Sequence, residues 1–433
     1  MKPQHHTSIN SPRFFGRRQE LGEIESAFAR DGTRRLAICG IGGQGKTCLA
    51  IEAGRSLSRR KGMKVCLVDY SAFFGVDAVG LAVRTLAELL DKDLENAAAA
   101  RKTLRDIPIL LILDNLETIP PVPRQELLDV AKDWSEMGAC RVLLTAAADF
   151  EHPGYQYLIQ LSGLSEKDAL GYARHLAPRL EQDGLLNLFK QVDFHPLSIR
   201  VLVFALKFYR PAGLGKALEV WPAEKRENPL WAVLRGSLEG ISLEVEKTGL
   251  LGIKTTKRLF LKAETLRSLP ILGVFQGGAF EPDLLALTHF NKKQWQVLRA
   301  ALETTGLIQI EILPKFKVPY IKFHPSLAPA LWTRLSSQEQ AKLYSSYQLR
   351  YAQLAGYMFY EEGQNTVQVH NLVRRDLPNL LYAVYGALDA KKRGADKFAK
   401  NLDFFLKAFG LQRESAALNQ LVKNADGEVS YRV

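Results

Sequence analysis

The sequence contains no stretch of the roughly 18 uncharged apolar residues that a membrane-spanning helix needs. Its opening residues, MKPQHHTSINSPRFFGRR, lack the apolar segment of a secretory signal, so a cytoplasmic protein is expected. Cysteine is scarce: Cys39, Cys48, Cys66 and Cys140 are the only four, and none stands in CxxC spacing, so neither a disulfide framework nor a zinc site is indicated. They read as reduced core thiols. No run of five or six like charges occurs although Lys and Arg exceed Asp and Glu by 58 to 46, for a formal charge of +12. The basic residues are interleaved with acidic ones and read first as a solubilising surface with a few phosphate-facing cations, ahead of a nucleic-acid track.

Hydrophobic residues make up 47% of the 433 positions, enough for about two to four domains with a core each. From Arg35 to Leu161 short apolar runs (LAIC, VCLVDY, ILLILD, RVLLT) alternate with helical-period segments. Continuous apolar runs mean strands buried on both faces, and the helices between them mean parallel crossovers, so a doubly wound α/β domain is expected over 14–161. A helix is predicted over Val76–Leu90, with Val76, Val79, Val83, Leu86 and Leu90 facing the sheet. Another is predicted over Arg124–Met137. After YLIQL only helices follow, opening at Ser165 and Asp168 in capping-box spacing, with Pro196 suited to the first turn of another. The stretch RPAGLGKALEVWPAEKRENP reads as a boundary. Between Leu266 and Trp332, three helices precede two alternating strands, LIQIEIL and YIKFH, the parts of a winged-helix domain. Aromatic-rich helices run from Ser336 to the end without a clean 34-residue repeat. The expected organisation is a linker over 1–13, a nucleotide-binding domain over 14–161, a helical domain over 162–235, a winged helix over 236–335 and a C-terminal helical domain over 336–433, possibly the start of a repeat array.

The chemistry is concentrated in GIGGQGKT, a G-x-x-x-x-G-K-[ST] loop between the strand LAIC and the helix CLAIEAGRSL. Its glycines let backbone N–H groups turn toward phosphates, and the helix N-terminus adds positive potential. Gly40, Gly42, Gly43, Gln44, Gly45, Lys46, Thr47 and Cys48 are therefore the candidate nucleotide-binding residues. Lys46 suits the β- and γ-phosphates, and the Thr47 hydroxyl suits a magnesium ion. Asp114 ends the buried strand ILLILD, where it can hold the same metal. Asn115 follows and cannot act as a base. Glu117 is the nearby carboxylate that could polarise a water, and it reads equally as an acid at a helix start.

These segments in order, RFFGRRQELGEIESAF, GIGGQGKT, LLILDNLE, RVLLT, FHPLSIRVL and FHPSLAPALW, resemble the STAND signal-transduction ATPases, the NB-ARC-like class. The closest resemblance is to bacterial members in which the ATPase precedes tetratricopeptide repeats and is often fused to a CHAT or caspase-like protease. The resemblance implies that Phe15, Gly16 and Arg17 border the adenine and ribose, and that Pro196 packs on the base, with His195 replacing the family's usual glycine-leucine pair. It implies that His324 senses the diphosphate in a closed state; a polar strand-end cap is the competing reading of that histidine. It also implies an arginine after RVLLT, where this sequence has Ala146, Ala147 and Ala148, natural or engineered, so hydrolysis is expected to be slow or absent. The function so implied is an ADP/ATP switch that self-associates in its ATP state, with trigger and effector outside this chain. The alternative from the residues is a DNA-binding regulator reading duplex with Lys292, Lys293 and Arg299 of NKKQWQVLRAALE, whose Trp295, Leu298 and Leu302 form the buried face. A small-molecule kinase would need a lid and acceptor site that the motifs do not supply.

Overall fold

The computed structural model describes residues 14–30, 32–136, 138–148, 150, 154–181, 183–219, 229–238, 242–248, 254–313 and 318–427. They pack as two units, Met1–Arg179 with Asp193–Leu197, and Leu180–Val192 with Ser198–Val433.

In the first unit the four apolar runs and the YLIQL segment form a parallel sheet. Helix α1 (Arg18–Ala29) leads into β1 (Arg35–Cys39), α2 (Lys46–Lys61) and β2 (Lys64–Asp69). Then come α3 (Ala78–Leu90), α4 (Ala97–Asp106), β3 (Ile109–Asp114), α5 (Pro121–Glu136), β4 (Arg141–Ala146) and β5 (Tyr157–Gln160). The strand order is β2-β3-β4-β1-β5, with every pairing parallel. All C-terminal strand ends consequently lie along one edge, where the glycine-rich loop begins.

β1 and β3 are buried at every position, as continuous apolar runs require. Alternate side chains serve opposite layers. Ile109, Leu111 and Leu113 pack with Leu86, Leu104, Leu127 and Trp134 of α3, α4 and α5, whereas Leu110 and Ile112 pack with Ile24 of α1 and Leu49 and Leu57 of α2. Each such aliphatic side chain contributes about 1.5–3 kcal/mol on leaving water. α3 begins two residues later than its apolar spacing suggests, because the Asp77 carboxylate accepts from Gly80 N–H and caps it there. Val76 therefore precedes the helix, and Ala78, Ala82, Val83, Leu86 and Leu90 form the buried face. α4, unforeseen in the apolar pattern, starts from an Asn96 cap and buries only Ala100 and Leu104. α5 starts three residues earlier than expected, at Pro121.

Helix α6 (Glu166–Leu176) opens on Ser165, whose hydroxyl accepts from Asp168 N–H, and α7 (Leu185–Lys190), α8 (Pro196–Ala205) and α9 (Pro211–Glu219) follow. α9 occupies the first half of the stretch read as a boundary; residues 220–228 of that stretch lie outside the described residues. The second unit also holds an antiparallel pair unforeseen in the sequence, β6 (Ser242–Thr248) with β7 (Lys254–Phe260). Beyond it, helices Glu281–Thr288 and Lys292–Thr304 precede β9 (Ile308–Ile312) and β10 (Pro319–Phe323), which pair antiparallel. β8 (Gly278–Phe280) adds a third strand to them, in the order β8-β10-β9. It escapes a periodicity reading because three residues are too few to show alternation. Trp295, Leu298 and Leu302 face inward on their helix as expected.

A 53-residue helix, Ser337–Asp389, opens with a Ser336/Glu339 capping box and has a non-helical residue at Asn365; helices Ala395–Ala408 and Gln412–Gly427 follow. Asn379 of the long helix pins it to the small sheet, donating to Gly278 O at 2.8 Å and accepting from Gln276 N at 2.7 Å. Among the described residues no helix is long and apolar enough to cross a membrane. All four cysteines are free thiols, three of them buried and Cys48 partly so.

Candidate functional site

The site lies where β1 ends and α2 begins. Gly43 and Gly45 have φ of +88° and +92°, the left-handed region that lets successive N–H groups face one side. The amides of Gly43, Gly45, Lys46 and Thr47 find no protein acceptor among the described residues, as expected for an anion nest continued by a helix N-terminus. Gln44 shapes the turn from within, its Oε1 accepting from Ile41 N–H at 2.9 Å. Cys48 lies in the first turn of α2.

Lys46 is buried and folds back over the loop, its Nζ donating to Gly40 O at 2.8 Å and Ile41 O at 3.4 Å. The Glu117 carboxylate reaches it at 3.6 Å. Glu117 sits in a single 3-10 turn, Leu116–Thr118, immediately after β3, so both of its sequence readings, an acid near the loop and an acid at a helix start, have a structural counterpart.

Asp114 ends β3 with only 1% exposure. Its Oδ1 and Oδ2 each lie 2.9 Å from the donating Thr47 hydroxyl. Thr145, at the end of β4, donates its hydroxyl to Asp114 Oδ1 at 2.5 Å and accepts from Asn115 N–H at 2.9 Å. Asn115, held at φ +64°, uses its amide to bridge Asp114 Oδ2 at 2.9 Å and Asp69 Oδ1 at 3.0 Å. Burial first, and the neighbouring Asp69 charge second, push the Asp114 carboxyl up to about 7, with the Thr145 and Thr47 hydrogen bonds pulling the other way. A divalent cation at this carboxylate would reverse that balance by offsetting its charge.

Among the described residues no group of three or more His, Cys, Asp or Glu could by itself hold a metal. One hydroxyl and one carboxylate at a phosphate nest suit magnesium, which keeps several waters and completes its shell from phosphates. The donor set fits a magnesium nucleotide and does not fit an all-protein cage.

Thr145, Asn115 and Asp69 were not singled out from the sequence. Thr145 acts through strand order: β4 lies between β1 and β3, with Ile38 opposite Thr145 and Leu113 opposite Leu144. A polar residue closing the apolar run RVLL was the available signal. The next residue, Ala146, is buried, and its carbonyl accepts from Gly40 N–H at 3.3 Å, so β4 ends beside the loop in an alanine where the family resemblance implies an arginine nearby.

Of the entry residues Arg17 reaches the same loop, whereas Phe15 and Gly16 lie against α6. Gly16 and Arg17 both have positive φ, and the Phe15 ring lies 4.6 Å from His175 and 5.8 Å from Tyr172. The buried Arg17 guanidinium donates to Gln44 O at 3.4 Å, Gly163 O at 3.3 Å and Ser162 O, and pairs with Glu20 at 2.7 Å. His195, immediately before Pro196 at the start of α8, places Nε2 2.8 Å from Gly42 O. Burial pushes its imidazole down to about 4, so at neutral pH the ring is uncharged and Nε2–H is the donor to the carbonyl. His324 belongs to the second unit, at the end of β10, where its Nδ1 accepts from Ser326 N–H at 3.2 Å.

No protein-family profile matches the sequence, and no curated relative does either. Solved structures similar to the chain include a STAND protein with a tetratricopeptide repeat sensor from Pyrococcus horikoshii, at 17% identity and a TM-score of 0.48, covering 97% of this chain and 60% of that one. The chain thus spans about three-fifths of that protein's length. Cdc6p from Pyrobaculum aerophilum matches at 12% identity and a TM-score of 0.37 over 76% of this chain and 98% of its own. A single-residue variant of RuvB from Thermotoga maritima matches at 14% and 0.32 over 70% of this chain and 93% of its own. The strand-loop-helix built on GIGGQGKT, at the C-terminal edge of a parallel five-stranded sheet, gives the first unit the fold of an α/β P-loop NTPase.

Proposed function

We propose that this chain is a nucleotide-dependent switch of the STAND class, binding ADP or ATP with magnesium and turning ATP over slowly or not at all. One observation carries the reading. The loop and the Thr47–Asp114–Thr145 chain offer groups suited to a magnesium diphosphate, whereas β4 ends at Ala146 beside the loop. A site that binds phosphate with no arginine at the end of β4 to meet the charge developing on the γ-phosphate is suited to holding a nucleotide.

In this reading Thr47 and Asp114 hold the metal, Lys46 leaves its carbonyl partners for the phosphates, and Glu117, released from Lys46, orients a water. Bound magnesium would neutralise phosphate charge. Phe15, Gly16, Arg17 and Pro196 line the nucleoside end. The modules are the nucleotide-binding domain (14–161), a helical domain (162–235), a winged helix (236–335) built on Lys292–Thr304 with β9 and β10, and a helical segment (336–433) that begins a tetratricopeptide array. ADP favours a closed packing of these modules sensed by His324; ATP favours an open one that self-associates in the cytoplasm and engages an effector of the CHAT or caspase-like kind. A ligand can drive such a change only if it binds the two packings with different affinity. Duplex binding is less supported, because the Arg299 guanidinium is held by Glu281 at 2.7 Å and leaves Lys292 and Lys293 as the cations of that helix.

The test is the nucleotide released on denaturing the purified protein, together with the shift of its melting temperature by ADP and ATP. Wild type should release adenine nucleotide and be stabilised by both. Lys46→Ala should abolish retention, and Glu117→Ala should leave it intact. Protein that carries no nucleotide and does not respond to either one refutes the proposal.

A further inference from the structure

We infer that His195 and Arg17 are positioning residues that set the phosphate nest from behind, turning the Gly43 and Gly45 amides toward a diphosphate by holding the carbonyls of Gly42 and Gln44. This inference rests on the nucleotide-binding reading and adds to it the residues that select the phosphate part of the ligand.

The reasoning begins with the peptide plane. In a trans peptide the carbonyl of one residue and the N–H of the next point in opposite directions, and the described chain contains no cis bond. Holding the Gly42 carbonyl therefore aims the Gly43 N–H the other way, and holding the Gln44 carbonyl does the same for Gly45. His195 Nε2 takes the first at 2.8 Å and the Arg17 guanidinium takes the second at 3.4 Å. Neither amide has a protein acceptor among the described residues, so both are available to an anion. A nest preset in this way spends no ligand-binding energy on ordering glycine backbone, the most costly backbone to order.

Packing agrees with the hydrogen bonds. A Cβ built on Gly43 would lie 2.8 Å from His195 Cε1 and 2.9 Å from Leu197, so the loop backbone rests directly on this segment. Delivering His195 also requires an unusual backbone: Asp193 and Phe194, consecutive and neither of them glycine, both have left-handed φ, at 48° and 52°. Such a pair persists only where the surroundings impose it. Here the Phe194 carbonyl accepts from Leu164 N–H at 3.0 Å, and the Asp193 carbonyl lies where a Cβ on Gly163 would fall. Arg17 holds the adjoining Ser162 and Gly163 carbonyls, tying its own anchor to the same segment.

The experiment is calorimetric titration of the full chain, freed of nucleotide, with ADP, inorganic pyrophosphate and adenosine. It compares wild type with His195→Leu, which keeps bulk without a donor, and His195→Gln, which restores an N–H at the Nε2 position. Losing one anchoring hydrogen bond should weaken ADP and pyrophosphate about 10-fold in His195→Leu, leave adenosine unchanged, and be largely reversed in His195→Gln. Arg17→Gln should likewise weaken pyrophosphate. Equal pyrophosphate affinity in wild type and His195→Leu overturns the inference, as does an equal loss for adenosine or an equal loss in both His195 variants. Wild type that binds none of the three ligands refutes the nucleotide-binding reading itself, a separate outcome.

Discussion

Replacing Thr145 by valine keeps shape and β-branching and removes one oxygen. That oxygen makes two buried contacts, donating to Asp114 Oδ1 at 2.5 Å and accepting from Asn115 N–H at 2.9 Å. The Asn115 amide would be left buried without an acceptor, at about 1–3 kcal/mol, and the lost bond to an ionised carboxylate adds about 1.5–3 kcal/mol. Because Asp114 keeps its partners in Thr47 and Asn115, the lower ends apply, giving about 2.5 kcal/mol. For a unit of this size that lowers the melting temperature by roughly 5–10 °C. At pH 8, with Asp114 ionised, the nucleotide-free variant should melt lower by that amount in calorimetry, and Thr145→Ser should recover most of it. The metal-dependent part of ADP affinity should fall as well, since Thr145 orients the carboxylate proposed to hold the ion. A Thr145→Val protein that melts with wild type and gains as much from magnesium would refute the reasoning that β4 supports the metal site.

Two other outcomes test different parts of the molecule. Gly43→Ala should cost about 1–2 kcal/mol from its left-handed backbone alone, should collide with His195 and Leu197, and should lose ADP binding by calorimetry while the far-ultraviolet spectrum stays unchanged. In the second unit, burial first and Asp283 second push the Asp376 carboxyl from 3.8 up to about 7, against the pull of Asn379 and Arg375, and Asp376 Oδ2 has no hydrogen-bond partner. A carboxyl raised on folding contributes most below its unfolded value and loses that contribution as pH rises to the folded one. The advantage of Asp376→Asn over wild type should therefore grow by up to about 4 kcal/mol between pH 4 and pH 7.5. Hydrogen exchange of the 369–388 segment in urea reads it, and an advantage independent of pH would contradict the assigned cause.

Four strands of the parallel sheet were legible as apolar runs, and β1 and β3, buried at every position, have no other pattern available, whereas β5 buries only Ile159. Helix ends were less so: Asp77 moves the start of α3 through a cap, which periodicity does not register. α4 was missed because AAAARKTLRD presents only Ala100 and Leu104 to the core, too few positions to mark a face. β8 gains its partner only through pairing with β10, a contact about forty residues away in the chain. At the site, Lys46, Thr47 and Asp114 could be read from motif and strand end, while Thr145 and the grip of His195 on Gly42 could not.

Local chemistry, written in neighbouring residues, determined the phosphate loop, the buried strands and the acid that closes β3, because glycine freedom and apolar runs act over a few positions. Only the tertiary structure decided that β4 separates β1 from β3 and so puts a threonine hydroxyl on Asp114 and the Ala146 carbonyl on the loop. It likewise decided that a histidine some 150 positions beyond the loop holds the Gly42 carbonyl. Hydrogen bonds and close contacts depend on distance in space, and strand order and loop path set that distance for residues far apart in the chain.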